Sequence, residues 1–341
     1  MVLMNAAESH PDRPATIADV ARLAGVSTAT VSYVLNDRHI GRIPERTRTK
    51  VRTAARRLGY VAQSSARSLS RGRTDLVLVY LGDGGMLRNR LAATELTRLG
   101  AELRKAGYGF LLHGDPSLRG VRAARAWAAL RPAAVLADVA CFTRTNVDLL
   151  HGSGVVAVGV GREESPLVPT VLLDDSSLGR VAAEHLVERG CGDLVALMPR
   201  DPGLRPLAEA RVRAAREVVV ARGGRIRTVT MGLDPAEAWE IARGWSGGEG
   251  RPDGVFGFDD QHAGMLLGAL TDAGVRVPGD LALIGAEDEP LCEMLRPRLT
   301  SVGVARLRAG IADLVLAAVE RRWDPARAVL SWPTHLNQRD T

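Results

Sequence analysis

Between residues 15 and 60 the apolar positions recur with a helical period in three short blocks, and from residue 74 the pattern changes to strands alternating with helices. In the first block Ile17, Val20, Ala21 and Ala24 fall at the i, i+3, i+4, i+7 spacing of one helix face. Thr16 before them is a good N-cap, and Asp19 is placed to reach back and complete a capping box. Gly25 supplies the left-handed conformation that ends a helix. Ser27 caps a second helix whose Val31, Val34 and Leu35 turn inward, which leaves Thr28, Ala29 and Thr30 at its exposed N-terminal end. Pro44 fits the first turn of a third helix. That helix runs to about Leu58, with Val51, Ala54, Ala55 and Leu58 inside. Gly59 ends it, and Tyr60 is expected to pack back on the bundle.

Residues 75–81 (DLVLVYL) form an apolar, β-branched run suited to a parallel strand buried on both faces. Helical stretches at 90–106, 123–130 and 146–151 then alternate with strand-like runs at 109–113, 133–137 and 155–160. A second set begins near residue 170, with helices at 176–189, 208–222, 235–244 and 263–273. Its strands fall at 193–198, 226–231, 255–258 and 281–284. Alternation of this kind predicts two parallel α/β units.

A chain of 341 residues suits two or three domains, and 46% hydrophobic residues suffice for their cores. There is no run of about 18 apolar residues, so no membrane span is expected. Residues 1–14 lack the basic-then-apolar order of a secretory signal and read as a disordered lead. Cys141, Cys191 and Cys292 lie far apart without metal-type spacing. They suit small core positions in a reducing cytoplasm, with no metal or other cofactor expected. The charge distribution adds more. Of the 45 Lys and Arg residues, 13 fall in the first 73 positions, against 5 of the 39 Asp and Glu, while the net charge of the whole chain is only +6. The positive excess therefore sits on the three-helix segment, as expected for a surface that meets phosphates. Arg46, Arg48, Lys50, Arg52, Arg56 and Arg57 crowd the third helix.

Two helices joined by a tight turn at Gly25 read as a helix-turn-helix, an arrangement that places its second helix in the DNA major groove. With TIADVARLAGVSTATVSYVLN, RTRTKVRTAARRLGY and the following ARSL, the sequence resembles the DNA-binding segment of the LacI/GalR family of bacterial repressors. The segments DDSSLGRVAAEHLVERG, RPDGVFGFDDQHAGMLLGALTDAGVRVPGDLALIGAEDE and PRLTSV extend that resemblance to the family's effector domain. The implied fold is an N-terminal all-α helix-turn-helix head plus an α/β periplasmic-binding-protein-like core of two lobes with parallel sheets. The implied divisions are a head at 15–61 and a hinge helix or linker at 62–73. The first lobe would hold 74–173 and 304–330, and the second 174–303 and 331–341. The implied function is a sequence-specific transcriptional regulator, a dimeric repressor on near-palindromic double-stranded DNA, cytoplasmic and nucleoid-associated. A small-molecule effector such as a sugar or related metabolite would act from the cleft between the lobes. Either sign of effector control is allowed.

The DNA-contacting set implied by motif and resemblance is Thr16, Ser27, Thr28, Ala29, Thr30, Ser32, Tyr33 and Asn36, with Ala66 and Leu69 of the hinge in the minor groove. For the effector, ligands of open α/β sheets bind beyond the carboxyl ends of the strands. Asp83, Arg211, Asp260 and Glu287 are the candidates, with Arg211 read as opening a helix and Asp174 and Asp175 read as caps of the helix at 176. A guanidinium fork reads two oxygens at once, and carboxylates accept from paired hydroxyls. The sequence departs from the family at several of these places. Asp259 stands for the usual Asn, Glu287 for Asp, Ala286 for a common aromatic and Ala214 for the glycine that follows the arginine. Residues 82–90 lack aromatics that stack on a sugar, Tyr33 stands where Arg or His is frequent, and Gln63 replaces an Asn. An effector other than a simple sugar remains open, as does a vestigial cleft in a regulator that is constitutive or controlled by a protein partner. An enzyme is not expected. Gly159 and Gly161 are only a fragment of a dinucleotide loop, there is no GxxxxGK[ST], and no His is paired by motif with a Ser or Cys nucleophile. Leu69→Ala is expected to weaken specific operator binding while the effector domain stays folded, because an apolar wedge between base pairs would be lost. A gel-shift titration checks it, and unchanged affinity and specificity would remove the wedge.

Overall fold

The capping box at the start of the chain's first helix is formed. In this computed structural model, which describes residues 14–35, 43–60, 74–82, 87, 89–305 and 310–341, Asp19 N–H donates to Thr16 Oγ1 at 3.3 Å and Thr16 N–H to Asp19 Oδ2 at 3.0 Å. Helix α1 (Ile17–Ala24) ends at Gly25, whose φ is 67°. Helix α2 (Thr28–Leu35) starts after Ser27, whose Oγ accepts from Thr30 N–H at 3.1 Å. Helix α3 is Glu45–Arg57. Pro44 does not sit in its first turn but just before it, at φ −54° and ψ 143°, and its carbonyl accepts from Thr47 and Arg48. An extended ψ is what the residue that enters a helix adopts. One valine from each helix, Val20, Val31 and Val51, is fully buried at the centre. Ile17, Leu35, Leu58 and Tyr60 close the edges of this core. The described residues up to Tyr60 form one compact unit and those from Thr74 onward another.

The larger unit contains two six-stranded sheets. The first uses β1 (Leu76–Tyr80), β2 (Gly109–His113), β3 (Ala134–Asp138), β4 (Val156–Gly161), β5 (Thr170–Asp174) and β11 (Val329–Ser331), in the order β11-β5-β4-β3-β1-β2. All of its pairs are parallel. The second uses β6 (Asp193–Pro199), β7 (Arg225–Met231), β8 (Gly254–Phe256), β9 (Ala282–Ala286), β10 (Thr300–Val304) and β12 (Thr334–Asn337), in the order β12-β10-β9-β8-β6-β7. Only the β10–β12 pair is antiparallel.

Strands buried on both faces need helices on both faces. On β1, Val77 and Val79 face α4 (Arg90–Lys105) and α12 (Ile311–Val319), while Leu78 faces α5 (Gly120–Ala129) and α6 (Arg144–Gly152). In the second lobe α7 (Ser176–Glu188) and α8 (Arg205–Ala221) cover one face. The other is covered by α9 (Pro235–Ser246) and α10 (Asp260–Asp272), with the short α11 (Leu291–Met294) beside it. Strand β5 belongs to the first sheet, although the alternation alone starts a second set there. The irregular link 162–169 before it carries no helical period to mark the connection. The chain thus passes between lobes after β5, after β10 and after β11. The three cysteines are free thiols, Cys191 and Cys292 buried. Among the described residues no helix is long and apolar enough to cross a membrane.

Helices α7 and α8 approach so closely that a Cβ on Gly179 would lie 1.9 Å from the Arg211 carbonyl oxygen. Packed backbone cannot yield as a flexible side chain can. Gly179→Ala is expected to destabilise the larger unit by about 3 kcal/mol, the upper part of the usual overpacking range. Denaturant unfolding checks it, and a loss below 1 kcal/mol would show that the helices can separate without cost.

Candidate functional site

In the head, the N-terminal end of α2 is free of charge, with Ser27, Thr28 and Ala29 exposed, Thr30 and Ser32 half-buried, and Tyr33 exposed. Thr16 is exposed too, and its hydroxyl donates to Asp19 at 2.6 Å. Small hydroxyls and a methyl can approach base edges closely, since Ser and Thr bond to several bases and a methyl meets that of thymine. Positive charge is displaced to α3, where Arg46, Lys50, Arg52, Arg56 and Arg57 are exposed. This separates groups able to read bases from groups able to hold phosphates. Asn36, Ala66 and Leu69 lie outside the described residues, as does Asp83 of the candidate effector set.

In the body, a cavity of about 320 Å³ opens between the lobes. Leu81, Leu96, Leu136 and Trp332 come to its wall from the first lobe and the crossing segment, and Pro202 and Leu207 from the second. Three polar side chains at its margin, Asn89, Arg162 and Asp175, connect it to a buried ion network. Arg211 is at the centre of that network. It lies mid-way along α8 rather than opening it, and its relative exposure is 0%. Its Nη2 donates to Glu287 Oε1 at 2.8 Å, its Nη1 to the Phe258 carbonyl at 2.7 Å, and its Nε to Asp175 Oδ2 at 3.3 Å. The Phe258 ring lies 4.8 Å from the guanidinium carbon. Burial alone works against the charge, but Glu287 and Asp175 outweigh it and hold the guanidinium above its ordinary pKa.

Glu287 also reaches the other lobe. It accepts from Asn89 Nδ2 at 2.7 Å and from Leu91 N–H at 3.3 Å. Arg90 and Glu289 form a further ion pair at 3.6 Å between the same elements. Glu287 and Asp288 hold φ values of 91° and 50°, unusual for residues with a Cβ. Such backbone costs about 1–3 kcal/mol per residue and persists where surrounding contacts over-determine it.

The candidate residues therefore divide. Arg211 and Glu287 come together, but behind the cavity wall and bonded to protein groups. Asp260 is directed elsewhere: it is fully buried and accepts from the Ser301 hydroxyl at 2.6 Å and from Glu289 N–H at 2.6 Å, within the second lobe. Asp259 caps α10, accepting from His262 N–H at 2.9 Å. The Asp174–Asp175 pair also splits. Asp174 Oδ1 caps α7 through Ser176 N–H at 3.1 Å, while Asp175 makes no cap and bridges Arg162 and Arg211. Asn89, Arg162, Asp175 and Trp332 were not anticipated. Arg162 directly follows β4, so the rule of strand carboxyl ends could have found it.

Two segments match known families. Residues 16–63 match bacterial regulatory proteins, lacI family, and residues 183–341 match a periplasmic binding protein-like domain. The HTH-type transcriptional repressor PurR of Vibrio atlanticus is 28% identical over 314 residues, covering 87% of this chain and 89% of that protein. The HTH-type transcriptional regulator GalR of Escherichia coli is 28% identical over 324 residues, with 90% of each covered. Among solved structures, a complex of the transcriptional regulator CelR with cellobiose has 26% identity and a TM-score of 0.61, covering 96% of this chain and 99% of that one. The Lac repressor dimer bound to operator and the anti-inducer ONPF shares the fold at 19% identity, with a TM-score of 0.75 over 96% of this chain and 99% of that one. A helix-turn-helix head and a two-lobed body of this kind define a DNA-binding transcriptional regulator. This chain combines a head that matches the lacI family of bacterial regulatory proteins with a periplasmic binding protein-like domain.

Burial pushes the Asp260 carboxyl up to about 7, against hydrogen bonds from Ser301 and Glu289 that pull it down. An unfolded aspartate titrates near 3.9, so between about pH 4 and 7 the native state binds the extra proton. Stability from this group is complete below pH 4 and is lost as pH rises through 7, by up to about 4 kcal/mol. Asp260→Asn is expected to flatten that fall, which thermal melts from pH 4 to 8 would measure. An unchanged slope would mean that Asp260 is ionised throughout.

Proposed function

We propose that the protein is a homodimeric repressor whose two heads bind the half-sites of a near-palindromic duplex, with operator affinity set by a small molecule in the inter-lobe cavity. The observation that carries this reading is the position of the cavity beside the cross-lobe bonds from Asn89 and Leu91 to Glu287. A ligand that fits one lobe separation better than another must shift that equilibrium, and a shift coupled to the heads appears as altered DNA affinity. The dimer on operator described for the Lac repressor, and the cellobiose held by CelR, support the same arrangement here. On this reading the protein acts in the cytoplasm on chromosomal DNA and catalyses no reaction.

A second reading, a vestigial cleft in a constitutive or partner-controlled regulator, is favoured by one observation: all three hydrogen bonds of the Arg211 guanidinium go to protein groups. One experiment separates the two. Duplexes selected from a random library by the purified protein are expected to be near-palindromes bound 10³-fold or more above scrambled duplex, a typical specificity ratio. Affinity for the selected duplex, at fixed salt because the salt dependence is steep, is then expected to change with one member of a metabolite panel. Absence of any preferred duplex would end both readings; a preferred duplex indifferent to every metabolite would favour the second.

A further inference from the structure

We infer that Glu287 is a built-in latch: its carboxylate, carried by the second lobe, grips the start of α4 in the first and holds the lobes together without an effector. The consequence for DNA rests on reading the protein as a repressor controlled from its cleft, and the inference deepens that reading by assigning the resting state of the body.

The latch is anchored on its own side. Glu287 N–H donates to the Val302 carbonyl at 2.8 Å and Asp288 N–H to the Ser301 hydroxyl at 3.1 Å, so the segment after β9 is tied to β10. Arg211 Nη2, 2.8 Å from Glu287 Oε1, fixes the carboxylate from within the second lobe. Two donors of the first lobe meet the same group. Asn89 Nδ2 lies 2.7 Å from Oε1, and the Leu91 nitrogen lies 3.3 Å from Oε2. Both carboxylate oxygens are thus engaged across the cleft, and Asn89, Arg211 and Glu287 are all buried. Hydrogen bonds to an ionised group are about twice as strong as neutral ones, and more so away from water.

The start of α4 is built to be gripped. The first amides of a helix have no carbonyl of their own helix to donate to. Here Asn89 Oδ1 accepts from Ala92 N–H at 2.9 Å, and the Asn89 carbonyl accepts from Ala93 N–H at 3.0 Å. The Leu91 amide instead finds its acceptor in Glu287, on the far side of the cleft. A carboxylate there also meets the positive end of a helix of 16 residues. Beside the latch lies the cavity of about 320 Å³, so the close packing that fastens an ordinary core is interrupted between the lobes. The Arg90–Glu289 pair is half-exposed on the arginine side and adds little. Glu287 therefore supplies, from within the chain, the bridge that a ligand spanning the two lobes would supply.

The test measures lobe separation in the purified full chain without added ligand. Thr97→Cys on α4 and Met294→Cys on α11, both exposed positions, carry a pair of spin labels. Half-buried Cys141 is replaced by alanine, Cys191 and Cys292 are buried, and dilution with unlabelled chain removes distances between chains. One short, narrow distance is expected. Three variants then loosen the latch and spare the fold. Asn89→Asp keeps a good cap for α4 but sets a second carboxylate against Glu287, and Asn89→Ser keeps the cap and removes the donor. Glu287→Asp keeps the charge beside Arg211 but falls one methylene short. Each is expected to melt cooperatively and to exchange the Leu91 amide hydrogen about tenfold faster or more, the value of one hydrogen bond to a charged group. Asn89→Asp, the strongest, is expected to add a second, longer label distance and to alter affinity for the selected duplex. A broad or long separation in the unaltered chain would overturn the inference and leave effector control in place. So would an Asn89→Asp chain that shows no longer distance. Lobes that separate as expected while DNA affinity stays constant would uphold the latch and end the reading of control from the cleft.

Discussion

A guanidinium with no contact to water sits where the two lobes meet, and the geometry of the body follows from keeping it satisfied. Arg211 has two carboxylates, a backbone carbonyl and an aromatic ring around it. Removing one member of such a set strands a buried charge at a cost of about 3–5 kcal/mol, whereas the intact set adds little net stability. Its value is positional. Asp175 lies where the chain first enters the second lobe, and Glu287 follows the end of β9, so one side chain fixes the crossing segment against the cleft edge. The left-handed backbone at Glu287 is held by the same contacts, with Asn89 and Leu91 engaging it from the opposite lobe. The cleft is thereby closed by bonds that belong to the protein rather than to a ligand.

In the head the constraint is smaller and local. Three buried valines and a ring of half-buried apolar residues are organised by a capping box, a left-handed glycine and a serine cap, each within four residues of the helix it serves. The second helix is uncharged and the third is basic. Affinity can therefore be carried by phosphates and selectivity by small side chains, two quantities that salt affects differently.

That locality explains what was legible in the chain. Thr16, Asp19, Gly25 and Ser27 act on their own helix ends, so spacing alone revealed them. The long strands and their helices were legible too, since period and apolar runs extend over five residues or more. Strand β5 was not assigned, because its pairing with β4 depends on a link without period. Strands β11 and β12 have three and four residues, too few to carry a pattern. The body's polar site was half legible for a related reason. Arg211 and Glu287 stood out by chemistry and do meet, but the direction of a carboxylate is set by partners far away in sequence. Asp174 and Asp175 are neighbours with opposite tasks. Asp260 looked suited to a ligand and instead holds Ser301 and Glu289 within its own lobe.

The three passages of the chain between lobes also bear on how the molecule is made. The core beneath the first sheet combines Val77, Val79 and Leu99 with Ile311, Val315, Leu330 and Trp332. A ribosome adding about 5–20 residues per second needs on the order of tens of seconds to travel from the first group to the second. During that interval the nascent first lobe carries an uncovered aliphatic surface, while the head, complete by residue 60, already has its own interior. Vectorial synthesis thus delivers a finished DNA reader on an unfinished body, and the late helix Ile311–Val319, with Leu330 and Trp332, is what finally covers that surface.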